Sequence, residues 1–204
     1  MALNPNPSKI SAQALENAPE SPSSRWLIWA LEFGILALGL ALVLLIRLAW
    51  LETAIITSGS MEPTLRIGDR ILVDHRASLA GSWARGDVIL FDAPAGWSGE
   101  GETLAKRVVA LPGDTVEVRN GSVVLNGAPV SEPYLSQDAP PSDAAAEMLN
   151  STGRKLGSGQ YWVMGDNRFN SDDSRTNGPL PSEAIRGHLL RVLLPLSHAR
   201  ALEQ

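Results

Sequence analysis

The sequence predicts a mainly β domain preceded by one transmembrane α-helix. Three observations carry this: an apolar run near the N-terminus, a succession of short β-branched runs after it, and an Asn-Gly pair between two of those runs. A chain of 204 residues has room for one globular core and an appendage.

Residues 1–25 are rich in Ala, Asn, Pro and Ser and show no apolar periodicity. Such a stretch buries too little surface to offset its ordering entropy, so a flexible tail is expected. From Trp26 to Ile46, 21 residues carry one charge, Glu32, and the 14 residues Phe33–Ile46 carry none. A helix of about 20 residues crosses a bilayer core, which assigns residues 26–50 to a single anchor helix. Trp26, Trp29 and Trp50 lie near its ends, where indoles favour the membrane interface. A buried core helix would show a polar face, and Phe33–Ile46 has none. A cleaved secretory signal would end in a small-x-small site, which Arg47-Leu48-Ala49-Trp50 does not supply. Arg25 and Arg47 balance one another, so flanking charge leaves the orientation open.

Residues 51–204 form the β domain. Strands are expected at Arg70–Val73, Asp87–Phe91, Leu104–Ala110, Thr115–Val118, Ser122–Leu125, Tyr161–Met164 and Gly187–Leu194, each bounded by turn residues. Asn120-Gly121 supplies the two positive φ angles of a type I′ turn, which pairs the fourth and fifth of these as a hairpin. Ser131–Gln160 is dense in Pro, Ser, Ala, Gly and Asp. It reads as a long loop outside the core sheet, so an inserted region with hairpin and loop is expected at about 113–160.

Composition excludes several function classes. The net charge is −5 and the pI near 5.2, so no basic face exists to track a phosphate backbone, and nucleic acid is not an expected partner. There is no cysteine, so a nucleophile must be an oxygen or an amine. His75, His188 and His198 are far apart and none share i, i+4 spacing; no metal and no cofactor are expected.

The chain has 14 arginines and three lysines: Lys9 in the tail, Lys155 in the insertion, and Lys106. In a strand, Leu104, Lys106, Val108 and Ala110 share one face, and Ala105, Arg107 and Val109 the other. That puts the Lys106 amine among apolar neighbours, where burial disfavours its charged form and fits it to accept a proton. A lysine that snorkels past an edge strand or meets a carboxylate would show the same pattern. A second segment, Ser58-Gly59-Ser60-Met61-Glu62-Pro63-Thr64-Leu65, reads as a loop in which Gly59 permits close approach and Pro63 stiffens the residues after it. It can hold the Ser60 hydroxyl exposed, with its amide and the Ser58 hydroxyl as oxyanion donors, or be a plain serine-rich turn. A third, Gly165-Asp166-Asn167-Arg168-Phe169-Asn170-Ser171-Asp172-Asp173-Ser174-Arg175, lacks the glycine and terminal glutamate of a calcium loop. It reads as a polar loop laced by Asp/Arg pairs.

In this order, the three segments resemble the nucleophile box, the lysine box (Lys106 to Asp114) and the late box of the bacterial type I signal peptidases. Gly68-Asp69 and Arg85-Gly86-Asp87-Val88 fit the same pattern, and the resemblance covers Ala54 to His188. It implies a signal-peptidase/LexA-like β-sheet catalytic domain with a smaller inserted β region. It also implies Ser60 as nucleophile, Lys106 as general base, Ser58 as side-chain oxyanion donor, and Ser171 as the hydroxyl orienting the lysine amine. Asp173 and Arg175 correspond to the ion pair supporting the late loop, and Asp166 and Arg168 to its framework. Phe169, where many members carry an acidic residue, and Thr57, where proline is common, depart from the pattern. The implied reaction is serine endopeptidase cleavage of signal-peptide-bearing precursors after small-x-small, usually Ala-x-Ala, sites. Ile56 and Ala105, each near a catalytic residue in sequence, are candidates to line shallow pockets for an added substrate strand. The family's topology implies a single-pass protein of the plasma membrane, N-terminus cytoplasmic and catalytic domain outside.

Two other classes fit parts of this pattern. A catalytically inactive, membrane-tethered module that binds secretory precursors would be expected to have lost one member of the dyad. A self-cleaving repressor of the LexA type would need an N-terminal helix-turn-helix where this chain has a polar tail and an apolar run. Trp83 and Trp97 fit either bilayer contact or core packing, and oligomeric state is not encoded in any feature above.

Overall fold

The structure is a computed structural model that describes residues 22–81, 83–119, 122–135 and 151–202. It divides into two units, Met1–Leu48 and Ala49–Gln204. Among the described residues the first is one helix, α1 (Pro22–Ala49), 28 residues long. Within it the 21 residues Arg25–Leu45 are long and apolar enough to cross a membrane, and their side chains are exposed in the isolated chain. The last four residues of the expected tail are thus helical, as Pro22 is tolerated in a first helical turn. Residues 1–21 of that expected tail, the Asn120-Gly121 turn, and residues 136–150 of the expected loop lie outside the described residues.

The second unit is built on antiparallel pairing. Its main sheet has eight strands: β1 (Leu51–Ile55), β2 (Arg70–Asp74), β3 (Val88–Asp92), β4 (Thr103–Ala110), β9 (Gln160–Met164), β10 (Leu180–Pro181), β11 (Ile185–Leu194) and β12 (Arg200–Ala201). The order is β1-β2-β11-β3-β4-β9-β10, with β12 also on β11. A second sheet, order β7-β6-β5-β8, contains β5 (Thr115–Arg119), β6 (Ser122–Leu125), β7 (Ala128–Pro129) and β8 (Ser151–Lys155). Two short helices, α2 (Arg76–Ala80) and α3 (Ser174–Asn177), sit in the connections.

Period-two alternation decides which side chains meet. On β3, Val88 and Leu90 enter one core cluster with Ile56, Met61, Leu65 and Val73, while Ile89 and Phe91 enter another with Trp83, Trp97, Val108 and Val163. On β9, Tyr161 and Val163 join the cluster of Phe91, whereas Trp162 and Met164 join a third with Val116, Val118, Val123 and Leu156. Both faces of the central strands are therefore covered. Trp83 and Trp97 are buried core residues, Trp97 meeting Phe91 edge-on at 5.6 Å between ring centroids.

Three sequence expectations are corrected. The β4–β9 register shifts between Val108 and Ala110, so Ala110 joins Val109 in the third cluster instead of sharing the face of Val108. Part of the expected loop after Ser131 is strand: β8 pairs with β5, although Ser-Thr-Gly-Arg-Lys has no apolar alternation to announce it. Gln160 belongs to the main sheet, so the inserted region ends before it. The β5–β6 register pairs Arg119 with Ser122, which is the spacing a two-residue turn requires.

Phe91→Ala is expected to lower unfolding free energy by about 3–5 kcal/mol, since it empties a fully buried position beside Trp97. Phe169→Ala, at an exposed position, is expected to stay within about 0.5 kcal/mol. Urea titration in detergent reads both.

Candidate active site

The Ser58–Leu65 loop follows β1 and is fixed from both sides of Ser60. Met61 and Leu65 are buried in the core cluster of Val88 and Leu90, and Leu65 N–H donates to the Met61 carbonyl. The Asn167 amide N–H donates to the Ser60 carbonyl at 3.0 Å, and its side chain donates to the Gly59 carbonyl at 3.1 Å. Ser60 itself is 8% exposed, and its N–H donates to no described residue. The Ser58 hydroxyl lies 3.3 Å from Ser60 Oγ.

Lys106 comes from β4 and is 3% exposed. Its Nζ is 2.6 Å from Ser60 Oγ. Burial pushes the Lys106 ammonium below the ordinary lysine range, against the opposing pull of Asp173, Asp172 and Asp166 and with help from Arg175. A neutral amine at this distance can accept a hydroxyl proton, an arrangement suited to acyl transfer.

Behind the pair stand three buried carboxylate–guanidinium pairs. Arg107 donates to Asp166 through Nε (2.9 Å) and Nη2 (2.7 Å) and to the Gly86 carbonyl through Nη1. Arg175 donates to Asp173 through Nε and Nη2, both at 2.8 Å. Arg168 donates to the two oxygens of Glu132 and to the Gly165 carbonyl. Burial raises the pKa of Asp173, but Arg175, the Gly165 N–H and the Ser171 hydroxyl outweigh it and hold the carboxyl below its usual range. The Thr64 hydroxyl donates to Asp166 as well, so one carboxylate binds the nucleophile loop, the lysine strand and the late loop together.

All the residues expected from sequence converge, with different partners in two cases. Asp173 and Arg175 pair directly. Asp166 and Arg168 do not pair with one another: Asp166 takes Arg107, and Arg168 takes Glu132. Ser171 Oγ donates to Asp173 Oδ2 at 2.8 Å, and no hydrogen bond joins it to Lys106 among the described residues. Ser171 nevertheless lies against the site, because a Cβ built on Gly165 would overlap both its side chain and the Ser60 carbonyl. Ile56 and Ala105 line one cleft of about 250 Å³ with Ser58, Ser60 and Met61. The sequence reading missed Arg107, Thr64, Asn167, Glu132 and Tyr134. Arg107 carried a signal, since an arginine between Lys106 and Val108 in an apolar strand must find a buried partner. Glu132 and Tyr134 carried none. The Tyr134 ring covers the Arg107 guanidinium at 4.0 Å, and its hydroxyl donates to Glu132.

Arg107→Met is expected to cost about 3–5 kcal/mol, because it strands the Asp166 carboxylate without compensation. Adding Asp166→Leu is expected to recover most of that loss in the same denaturation experiment.

The signal peptidase family, peptidase S26, matches residues 26–193. A probable signal peptidase I-1 of Synechocystis is 38% identical over 187 residues, covering 90% of this chain and 90% of that protein. Signal peptidase I of Bacillus licheniformis is 34% identical over 168 residues, covering 80% and 87%. A crystal structure of a signal peptidase I from Enterococcus faecalis aligns at 30% identity with a TM-score of 0.43, over 53% of this chain and 97% of that one. The chain therefore belongs to the peptidase S26 signal peptidase family.

Proposed function

We propose that this protein removes signal peptides from precursor proteins as a serine endopeptidase, with Ser60 as nucleophile and Lys106 as general base. The observation that carries the assignment of the pair is the 2.6 Å contact between Lys106 Nζ and Ser60 Oγ in a buried setting that disfavours the ammonium. Neutral Lys106 takes the hydroxyl proton as Ser60 Oγ bonds to the peptide carbonyl carbon. The Ser60 N–H and the Ser58 hydroxyl face the negative charge that develops on oxygen; each such donor contributes about 3 kcal/mol. The lysine ammonium then protonates the departing amine, which breaks the peptide bond and leaves an acyl-enzyme. Lys106 next takes a proton from water, the hydroxide adds to the ester, and the serine leaves with that proton. In this reading Ser171 helps to position the lysine amine through Asp173, to which its hydroxyl donates at 2.8 Å.

The substrate enters as an extended strand. β1 ends the main sheet, and β4 pairs with β9 only from Arg107 onward, so Thr103–Lys106 presents backbone groups with no strand on that side. Both free edges line the cleft that holds Ser60, Ile56 and Ala105. Ile56 and Ala105 bound pockets for small side chains, which matches cleavage after Ala-x-Ala. The protein is anchored in the membrane; in this reading its α1 helix spans the plasma membrane, with the N-terminus cytoplasmic and the catalytic unit outside, where exported precursors emerge.

The direct test is cleavage of a purified precursor with an Ala-x-Ala site by the full chain in detergent, with the new N-terminus sequenced. Ser60→Ala and Lys106→Ala are expected to abolish cleavage. Lys106→Arg is expected to do the same, since arginine stays charged. The neutral fraction of Lys106 grows with pH, so kcat is expected to rise through a titration point below the lysine reference value of 10.5. A flat profile between about pH 5 and 9 would remove lysine from the base role. Gly165→Ala is expected to lower kcat by about 100-fold, because its methyl group displaces the Ser60 carbonyl and Ser171 together.

A further inference from the structure

The cleft does not end at Ile56 and Ala105. Its end away from Ser60 is lined by Glu52, Glu102, Thr103 and Arg186. On β1, alternation puts Glu52 in the same row as Ala54 and Ile56, so it points into the cleft that they line. Arg186 rises from β11, which lies between β2 and β3 in the sheet order. Its guanidinium reaches Glu52 on one side at 3.7 Å, and Asp92 and Thr103 on the other, both at 3.3 Å. It thus bridges the two walls. His75 adds a bond to Glu52 at 2.7 Å through Nε2, and its Nδ1 meets the Arg186 carbonyl at 2.8 Å. Glu102 makes no ion pair with any described residue.

The charged residues that line this end sum to one negative charge. Two carboxylates, Glu52 and Glu102, and one cation, Arg186, line it, while His75 and Asp92 reach Glu52 and Arg186 from outside the lining. Glu52 and Arg186 are each 41% exposed as side chains, so an incoming peptide can reach them. Position along the cleft follows from strand geometry. Glu52 precedes Ile56 by four residues and Glu102 precedes Lys106 by four, which is about 13 Å at 3.3 Å per residue. An extended substrate advances at the same rate. Its residue beside Glu52 and Glu102 is then about four before the one at the cut.

From this placement we infer that the far end of the cleft is a charged subsite that favours a basic side chain, and disfavours an acidic one, at about the fifth residue before the scissile bond. The inference rests on the peptidase reading above, and it adds a selection that the apolar residues near Ser60 cannot exert. Exposed pairs are weak and screened, so the effect is a moderate preference and not an absolute requirement.

The test uses the full-length protein in detergent and precursors identical except at the fourth, fifth or sixth residue before the cut, where Lys, Gln or Glu is placed. At low salt kcat/KM is expected in the order Lys, Gln, Glu at one of these positions, with a Lys-to-Glu ratio of about three- to tenfold. The ratio is expected to approach one in about 0.5 M salt. Glu102→Lys is expected to invert the order; because a ratio is measured within one preparation, partial misfolding does not affect it. A low-salt ratio of one at all three positions overturns the subsite while leaving the peptidase reading intact, and so does a ratio that Glu102→Lys leaves unchanged. Failure to cut any precursor overturns the peptidase reading and the subsite with it.

Discussion

The site depends on burying one amine among carboxylates so that its charged form is disfavoured. Asp173, Asp172 and Asp166 all favour the charged form of Lys106, and burial prevails over them. A single uncompensated carboxylate at about 4 Å, in an effective dielectric of about 20, would favour the ammonium by about 4 kcal/mol. That equals about three pKa units, enough to cancel a large depression. Two of the three carboxylates are neutralised at close range: Asp173 by Arg175 and Asp166 by Arg107. The arginine pairs thus do more than stabilise the fold. They let desolvation decide the protonation state of Lys106.

Arginine suits that task and lysine suits the other. The guanidinium stays charged and binds a carboxylate through two parallel bonds, whereas a buried ammonium can lose its proton. Neighbouring residues of one strand use both properties. Lys106 presents its amine to Ser60, and Arg107 clamps Asp166. Asp166 in turn accepts from Thr64, four residues after the serine, so the placement of Ser60 and the state of Lys106 share one carboxylate. Gly165 allows this convergence, since any side chain there would enter the space of the Ser60 carbonyl and Ser171.

Much of this was legible in the sequence, for identifiable reasons. Strands that are unbroken apolar runs bounded by turn residues, such as β3 and β9, announced themselves, and the seven expected strands are all present. Strands defined by pairing alone did not: β8 is polar and β7 and β10 have two residues each. Lysine scarcity and the Gly59 and Pro63 loop only marked Lys106 and Ser60 for attention; their pairing came from the resemblance of three ordered segments to signal peptidases. Partner identities within the ion pairs were not visible. The resemblance gave Asp166 and Arg168 only as framework of the late loop, and their partners, Arg107 and Glu132, come from distant segments. The Val108–Ala110 register shift was equally silent, because no glycine or polar residue marks it.

The segment after β7 shows why the insertion cannot be treated as a separate appendage. Glu132 meets Arg168 with both side chains nearly excluded from solvent, and Tyr134 lies over Arg107. Burial, reinforced by Glu132, pushes the Tyr134 hydroxyl above its ordinary range, so the phenol stays a neutral donor and adds no charge near Lys106. Arg168 also donates to the Gly165 carbonyl, next to the glycine on which the approach of Ser171 and Ser60 depends. The short run from Glu132 to Tyr134 therefore completes the low-dielectric wall behind the dyad. Removing the Glu132 carboxylate would leave the Arg168 charge buried without its partner, and an unpaired buried cation acts on Lys106 through the same medium that sets its protonation.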